Sequence, residues 1–154
     1  EFAQGAEWNN NQSLDWHQLD IAEHKGMQQL VRDLNRVYRE TRSLHVNDTK
    51  AEGFDWIESN DAEAGVYAWM RNGDALDKPV VAVVNMTPQE RKYRLGLPHA
   101  GTWREILNTD AEAYGGGNRG NLGGVATEKT PWHGQTQSAL VTLPPLSALY
   151  LQQD

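Results

Sequence analysis

One switch of period constrains what this chain can fold into. Apolar residues recur at steps of three and four up to about residue 43, then alternate in twos from Gly53 onward. Met27, Leu30, Val31, Leu34, Val37 and Tyr38 share one helical face, with Arg32, Asp33, Asn35, Arg36 and Arg39 filling the other. The spacing predicts an amphipathic helix over residues 24–43. Such a stripe needs a cover, either the rest of the chain or a surface outside it.

After the switch, residues 65–71 alternate small or apolar residues with aromatics, and residues 79–84 are apolar on both faces and β-branched, as in a central strand. Tyr93, Leu95 and Leu97 alternate with Lys92 and Arg94; Trp103, Glu105 and Leu107 alternate with Arg104 and Ile106. Residues 138–143 and 146–151 form two more strands around Pro144-Pro145, which cannot donate to a ladder. Asn72-Gly73 and His99-Ala100-Gly101 supply turns. Six or seven short strands with no further helix predict a mainly β chain, an antiparallel β-sandwich preceded by a helix-bearing arm. The division falls within residues 45–52, giving residues 1–47 and 48–154.

Composition then narrows the partners. Lys plus Arg number 14 against 21 for Asp plus Glu, a net charge of −7, which disfavours phosphate backbones and anionic lipid. Neither nucleic acid nor membrane is expected as a partner, and no run of roughly 20 apolar residues could span a bilayer. Without cysteine there is no disulfide framework and no thiolate metal site. The five histidines are scattered with no pair at i, i+4, so no metal and no cofactor is expected. Six tryptophans in 154 residues are about three times the usual share, and core packing explains some of them. Indole faces also stack on the apolar faces of sugars. The chain opens on Glu1, with neither an initiator Met nor a signal pattern, an opening that reads as the interior of something longer.

Several segments resemble one family. Glu1-Phe2-Ala3-Gln4-Gly5-Ala6-Glu7-Trp8-Asn9 is similar to the end of the catalytic barrel in bacterial glycogen branching enzymes, and Ser13-Leu14-Asp15-Trp16 and Leu30-Val31-Arg32-Asp33-Leu34-Asn35 resemble its last helical region. Trp103-Arg104-Glu105-Ile106-Leu107-Asn108-Thr109-Asp110, Tyr114-Gly115-Gly116-Gly117-Asn118, Gly120-Asn121 and Leu143-Pro144-Pro145-Leu146-Ser147-Ala148-Leu149-Tyr150-Leu151 resemble the β-domain that follows. Order and spacing together make the likeness specific over the whole chain.

The resemblance implies the C-terminal part of a 1,4-α-glucan branching enzyme of the α-amylase superfamily. Residues 1–47 would close its (β/α)8 barrel and residues 48–154 would form its C-terminal sandwich. It implies an α-glucan substrate (glycogen, amylose or malto-oligosaccharides), the remainder of the enzyme as partner, and a cytoplasmic location. The parent reaction cleaves an α-1,4 bond, holds the chain as a glycosyl ester and transfers it to a 6-hydroxyl, using a carboxylate pair roughly 5 Å apart. In the family those carboxylates lie earlier in the barrel, so no catalytic residue is expected here. The helix stripe is expected to face that barrel. The alternatives are a free-standing glucan-binding sandwich and the tail of another amylase-superfamily enzyme such as a trehalohydrolase.

For substrate contact the candidates are Glu7, Trp8, Trp69 and Trp132. The resemblance puts Glu7 and Trp8 on the rim of the barrel's active face. Trp69 shares a strand face with Tyr67 and Arg71, and Trp132 sits in the loop Thr130-Pro131-Trp132-His133-Gly134. Trp56 and Trp103 are expected in the core. The run from Gly115 to Asn121 lacks the Gly-Lys-Ser/Thr of a phosphate loop and reads as a wide turn needing positive φ. Asn11, Asn47 and Asn85 head glycosylation-like triplets, read as chance matches.

Overall fold

The computed structural model describes residues 1–154. Helix α1 spans Ala22–Glu40, starting two residues before the expected helix and ending three before it. Thr41 leaves the helical region at φ −108° and ψ 94°, and the chain tightens into a 3-10 turn at Arg42–Leu44. Tertiary bonds hold that exit. The Arg42 guanidinium reaches Asp74 and Asp77 at 2.8 and 3.1 Å, and the Ser43 hydroxyl donates to the Lys78 carbonyl at 2.6 Å.

Eight strands follow: β1 Phe54–Asp61, β2 Val66–Arg71, β3 Val80–Asn85, β4 Arg91–Leu97, β5 Thr102–Asn108, β6 Gly124–Ala126, β7 Gln137–Leu143 and β8 Ser147–Gln153. All pairings are antiparallel, in a six-stranded sheet ordered β1-β2-β3-β8-β5-β6 and a two-stranded sheet β4-β7. The inner faces meet in one core. Ile57, Val66, Ala68, Val81, Val83, Trp103, Leu149 and Leu151 come from the larger sheet, and Leu95, Leu97, Ala139, Val141 and Leu143 from the smaller. This is the expected sandwich, with β1 and β6 added to the strands that alternation marks.

Two expectations are corrected. The helix stripe is covered largely by this chain itself: Leu30, Leu34 and Val37 pack with Leu44, Val80, Ile106, Leu107, Tyr114 and Tyr150 on the outer face of the larger sheet. Tyr38 stays 45% exposed. The second correction explains part of the first. A bulge between Glu105 and Leu107 breaks the alternation of β5, so Trp103 points into the sandwich while Leu107 turns to the helix. Tyr114 also ties helix to sheet. Its hydroxyl donates to Asp33 at 2.9 Å, and burial with that carboxylate pushes the phenol up to about 12.

Candidate functional site

Period two places Phe54 and Trp56 on the outer side of β1, and Tyr67 and Trp69 on the outer side of β2. Trp56 and Trp69 are cross-strand partners, their rings 6.2 Å apart at 76°, and Phe54 meets Trp56 edge-on at 5.1 Å and 87°. Helix α1 covers the middle of this sheet and leaves the β1 edge open. Trp56 is 56% exposed, which corrects its expected core position. Alternation within β1 gives Ile57 to the core and turns Trp56 outward beside its partner Trp69, and the bulge between Trp56 and Glu58 then turns Glu58 inward. Trp69 faces outward with Tyr67 and Arg71, half-buried.

Beside Trp69 lies a cavity of about 340 Å³ walled by Leu34, Tyr38, Leu44, Ala82 and Tyr150, with Asn35 and Arg71 as its polar groups. Its rim is braced. The Arg71 guanidinium bonds the Asp48 carboxylate and the Gly53 carbonyl, and the Tyr38 hydroxyl donates to Asp48 at 3.0 Å. Those donors hold the Asp48 carboxyl below the usual range, Arg71 most strongly.

Trp132 stands at the base of a two-residue hairpin turn. His133 and Gly134 take φ of 49° and 72°, and Trp132 bridges to Gln135. The hairpin lies flat on β4, where a side chain at Gly96 would sit 2.3 Å from the Trp132 carbonyl oxygen. The His133 ring tucks beneath, 5.8 Å from Tyr93, with Nδ1 accepting from the Gly96 N–H at 3.4 Å and Nε2 3.5 Å from Glu58. Tyr93 in turn donates to Asp61 at 2.9 Å.

Burial holds the His133 imidazole below its ordinary value, against the opposing pull of the Glu58 and Asp61 carboxylates. The unfolded chain therefore binds this proton first as the pH drops. The contribution is present above the unfolded value of about 6.5 and lost as pH falls through the folded one. We expect the melting temperature to decline between about pH 7 and pH 5, and His133→Gln to flatten that slope. Parallel slopes for the two proteins in a calorimetric pH series would overturn this.

Glu7 and Trp8 lie elsewhere. Both are exposed, Trp8 at 76%, on a segment anchored by Phe2, whose ring meets Trp16 at 5.4 Å and whose carbonyl lies 2.8 Å from His24 Nδ1. His24 precedes Tyr38 by about 21 Å of helical rise, so that anchor is remote from the Trp56–Trp69 face. The four sequence candidates do not converge.

The glycine-rich loop is a wide turn, with positive φ at Gly115, Asn118, Gly120, Leu122 and Gly123. Its amides are already occupied: the Gly117 and Arg119 N–H groups donate to the Asp110 carboxylate at 2.9 and 3.0 Å. A built-in anion fills the place a phosphate would need. Asn47 and Asn85 are buried, and the Asn85 amide donates to the Gln89 and Pro144 carbonyls at 2.7 and 2.9 Å, so neither can carry a glycan in this fold. No three His, Asp or Glu side chains gather as a metal site. No helix is long and apolar enough to cross a membrane.

The architecture and the sequence both have known counterparts. The family described as alpha amylase, C-terminal all-beta domain, matches residues 56–154. The 1,4-alpha-glucan branching enzyme of Roseobacter denitrificans is 54% identical over the whole of this chain, and those of Xanthomonas campestris and Aquifex aeolicus are 52% and 46% identical. The chain spans 21% of the length of the first two and 25% of the third, matching their C-terminal part. Among solved structures, an alpha-amylase from H. orenii superposes with a TM-score of 0.56 at 12% identity, over 99% of this chain and 25% of that one. The chain belongs to the family of alpha-amylase C-terminal all-beta domains.

Proposed function

We propose that this chain serves a 1,4-α-glucan branching enzyme as its C-terminal part, with residues 1–47 closing the catalytic barrel and residues 48–154 forming the β-domain. Identity of about half over the whole chain to enzymes of that name supports the assignment. The parent enzyme would act on α-glucan in the cytoplasm, with its catalytic carboxylates in the barrel. The domain would brace that barrel and hold glucan beside it. Trp8 and Glu7 would touch the substrate only alongside the barrel, while Trp69 and Trp132 would do so from the β-domain.

The observation that carries the glucan contact is the open Trp56–Trp69 pair, flanked by Phe54. The exposed Trp56 indole, held edge-on between Phe54 and the half-buried Trp69 at the sheet edge, offers one apolar ring face to a glucose ring. One well-placed indole contributes on the order of 1–2 kcal/mol by area burial, less than the roughly 4 kcal/mol of a millimolar site, so binding to the isolated chain is weak, millimolar at its tightest. Calorimetry with maltoheptaose tests it. Trp56→Ala is expected to weaken binding by about tenfold. An unchanged constant would remove the aromatic face from the reading.

A further inference from the structure

We propose that the Trp132 hairpin is the far end of this same glucan surface, so that one α-glucan chain crosses the β1 edge from the Trp56–Trp69 face to the Trp132 indole. The inference rests on the outer face being a glucan surface, and adds its extent and its preference for long chains.

The path is short. Glu58 follows Trp56 by two residues on β1, about 7 Å of strand rise, and the bulge turns it toward the sandwich. There its carboxylate lies 3.5 Å from His133 Nε2, and the His133 ring lies 5.8 Å from that of Trp132. The hairpin thus reaches the β1 edge from the opposite layer, on the strand that carries Trp56.

Its construction fixes the backbone that carries the indole. Positive φ at both turn residues, the missing side chain at Gly96 and the imidazole packed under the turn leave the hairpin backbone little freedom, yet Trp132 remains 48% exposed. A side chain ordered before binding loses little entropy when a ligand stacks on it. Gln135 and Thr136 stand beside it as an amide and a hydroxyl, and with Pro131 they border a cavity of about 500 Å³. One apolar ring face with uncharged hydrogen-bonding groups at its margin suits a neutral polyhydroxylated chain. A curved α-glucan turning over the edge would meet both surfaces.

The test uses the 154-residue chain with nitrogen-labelled indoles, titrated with maltotriose and with maltoheptaose. Maltotriose is expected to shift the Trp56 and Trp69 indole signals and leave Trp132 unmoved. Maltoheptaose is expected to shift all three, and Trp132→Ala to weaken maltoheptaose about fivefold while maltotriose binding stays unchanged. If maltoheptaose moves Trp56 and Trp69 but not Trp132, the continuous path is overturned and the outer-face reading stands. If Trp132 responds to both sugars and Trp56→Ala leaves its response intact, the hairpin is a separate site and the path is again overturned. If neither sugar moves Trp56 or Trp69, the outer-face reading fails and the path with it.

Discussion

Trp103→Ala is expected to lower the unfolding free energy by about 3–5 kcal/mol, measured by urea denaturation. Trp103 has no exposed surface and sits between the sheets with Leu95, Leu97, Val141 and Leu151. Its Nε1–H donates to the His99 carbonyl at 3.1 Å, so truncation leaves that acceptor unpaired as well as opening a cavity. Close packing continues on the backbone side, where a side chain at Gly124 would lie 2.6 Å from the Trp103 carbonyl oxygen. The neighbourhood has little freedom to collapse. Since domains of this kind have about 5–15 kcal/mol in total, the variant would be marginal. A loss below about 1 kcal/mol would show that the sandwich does not depend on this side chain. Trp56→Ala, which loses two edge-on ring contacts on the open face, is expected to cost about 1 kcal/mol, far less than the core variant, so the chain stays folded and its effect on glucan remains interpretable.

The contrast between Trp103 and Trp56 shows what the sequence does and does not carry. Both are large aromatics in strand segments, and the usual burial of Trp assigns both to the core. What separates them is the face each occupies: Trp56 alternates with the buried Ile57 and pairs with the outward Trp69, a register that hydropathy alone does not fix. The bulge beyond Glu105 hides a second assignment, because strict alternation keeps Leu107 with Trp103 when it belongs with the helix. Central strands such as Val80–Asn85 are legible because burial on both faces demands continuous β-branched residues. The short β6 pairs over only three residues and carries no such signal.

Helix α1 was legible as an element, but its cover was not. A stripe says that something must lie against it; that the cover is Val80, Leu107 and Tyr150 is a property of the fold. The stripe therefore gives no reason to reject a free-standing glucan-binding module. The weight falls on the family match over residues 56–154 and on the likeness of the whole chain to part of the branching enzymes. A usable signal for the missed Trp56 did exist. Phe54-Asp55-Trp56 and Tyr67-Ala68-Trp69 place aromatics at alternate positions in successive strands, and an antiparallel pair brings two such rows onto one face.

Incubated alone with amylose, the 154-residue chain is expected to form no α-1,6 linkages. A retaining transfer needs one carboxylate as nucleophile and a second carboxyl, still protonated near neutrality, about 5 Å away. The carboxyls that this fold perturbs are shifted the other way. Asp33 is held below the ordinary range by Gln29, with Tyr114 and Arg36 adding to it; Asp48 by Arg71 and Tyr38; Asp61 by the Ala64 N–H and Tyr93. Each spends its acceptor capacity on joining elements of the fold, which suits a brace and not a proton donor. The proposed glucan surface is consistent with that division. A millimolar site captures little free oligosaccharide, but tethering it to a barrel that already grips the same polymer gives an effective concentration of about the millimolar order, enough to keep it engaged. Proton NMR of the anomeric region after prolonged incubation decides the matter. New α-1,6 signals that persist in the Trp56→Ala variant would mean that a catalytic pair lies within these residues, and the division of labour proposed here would be wrong.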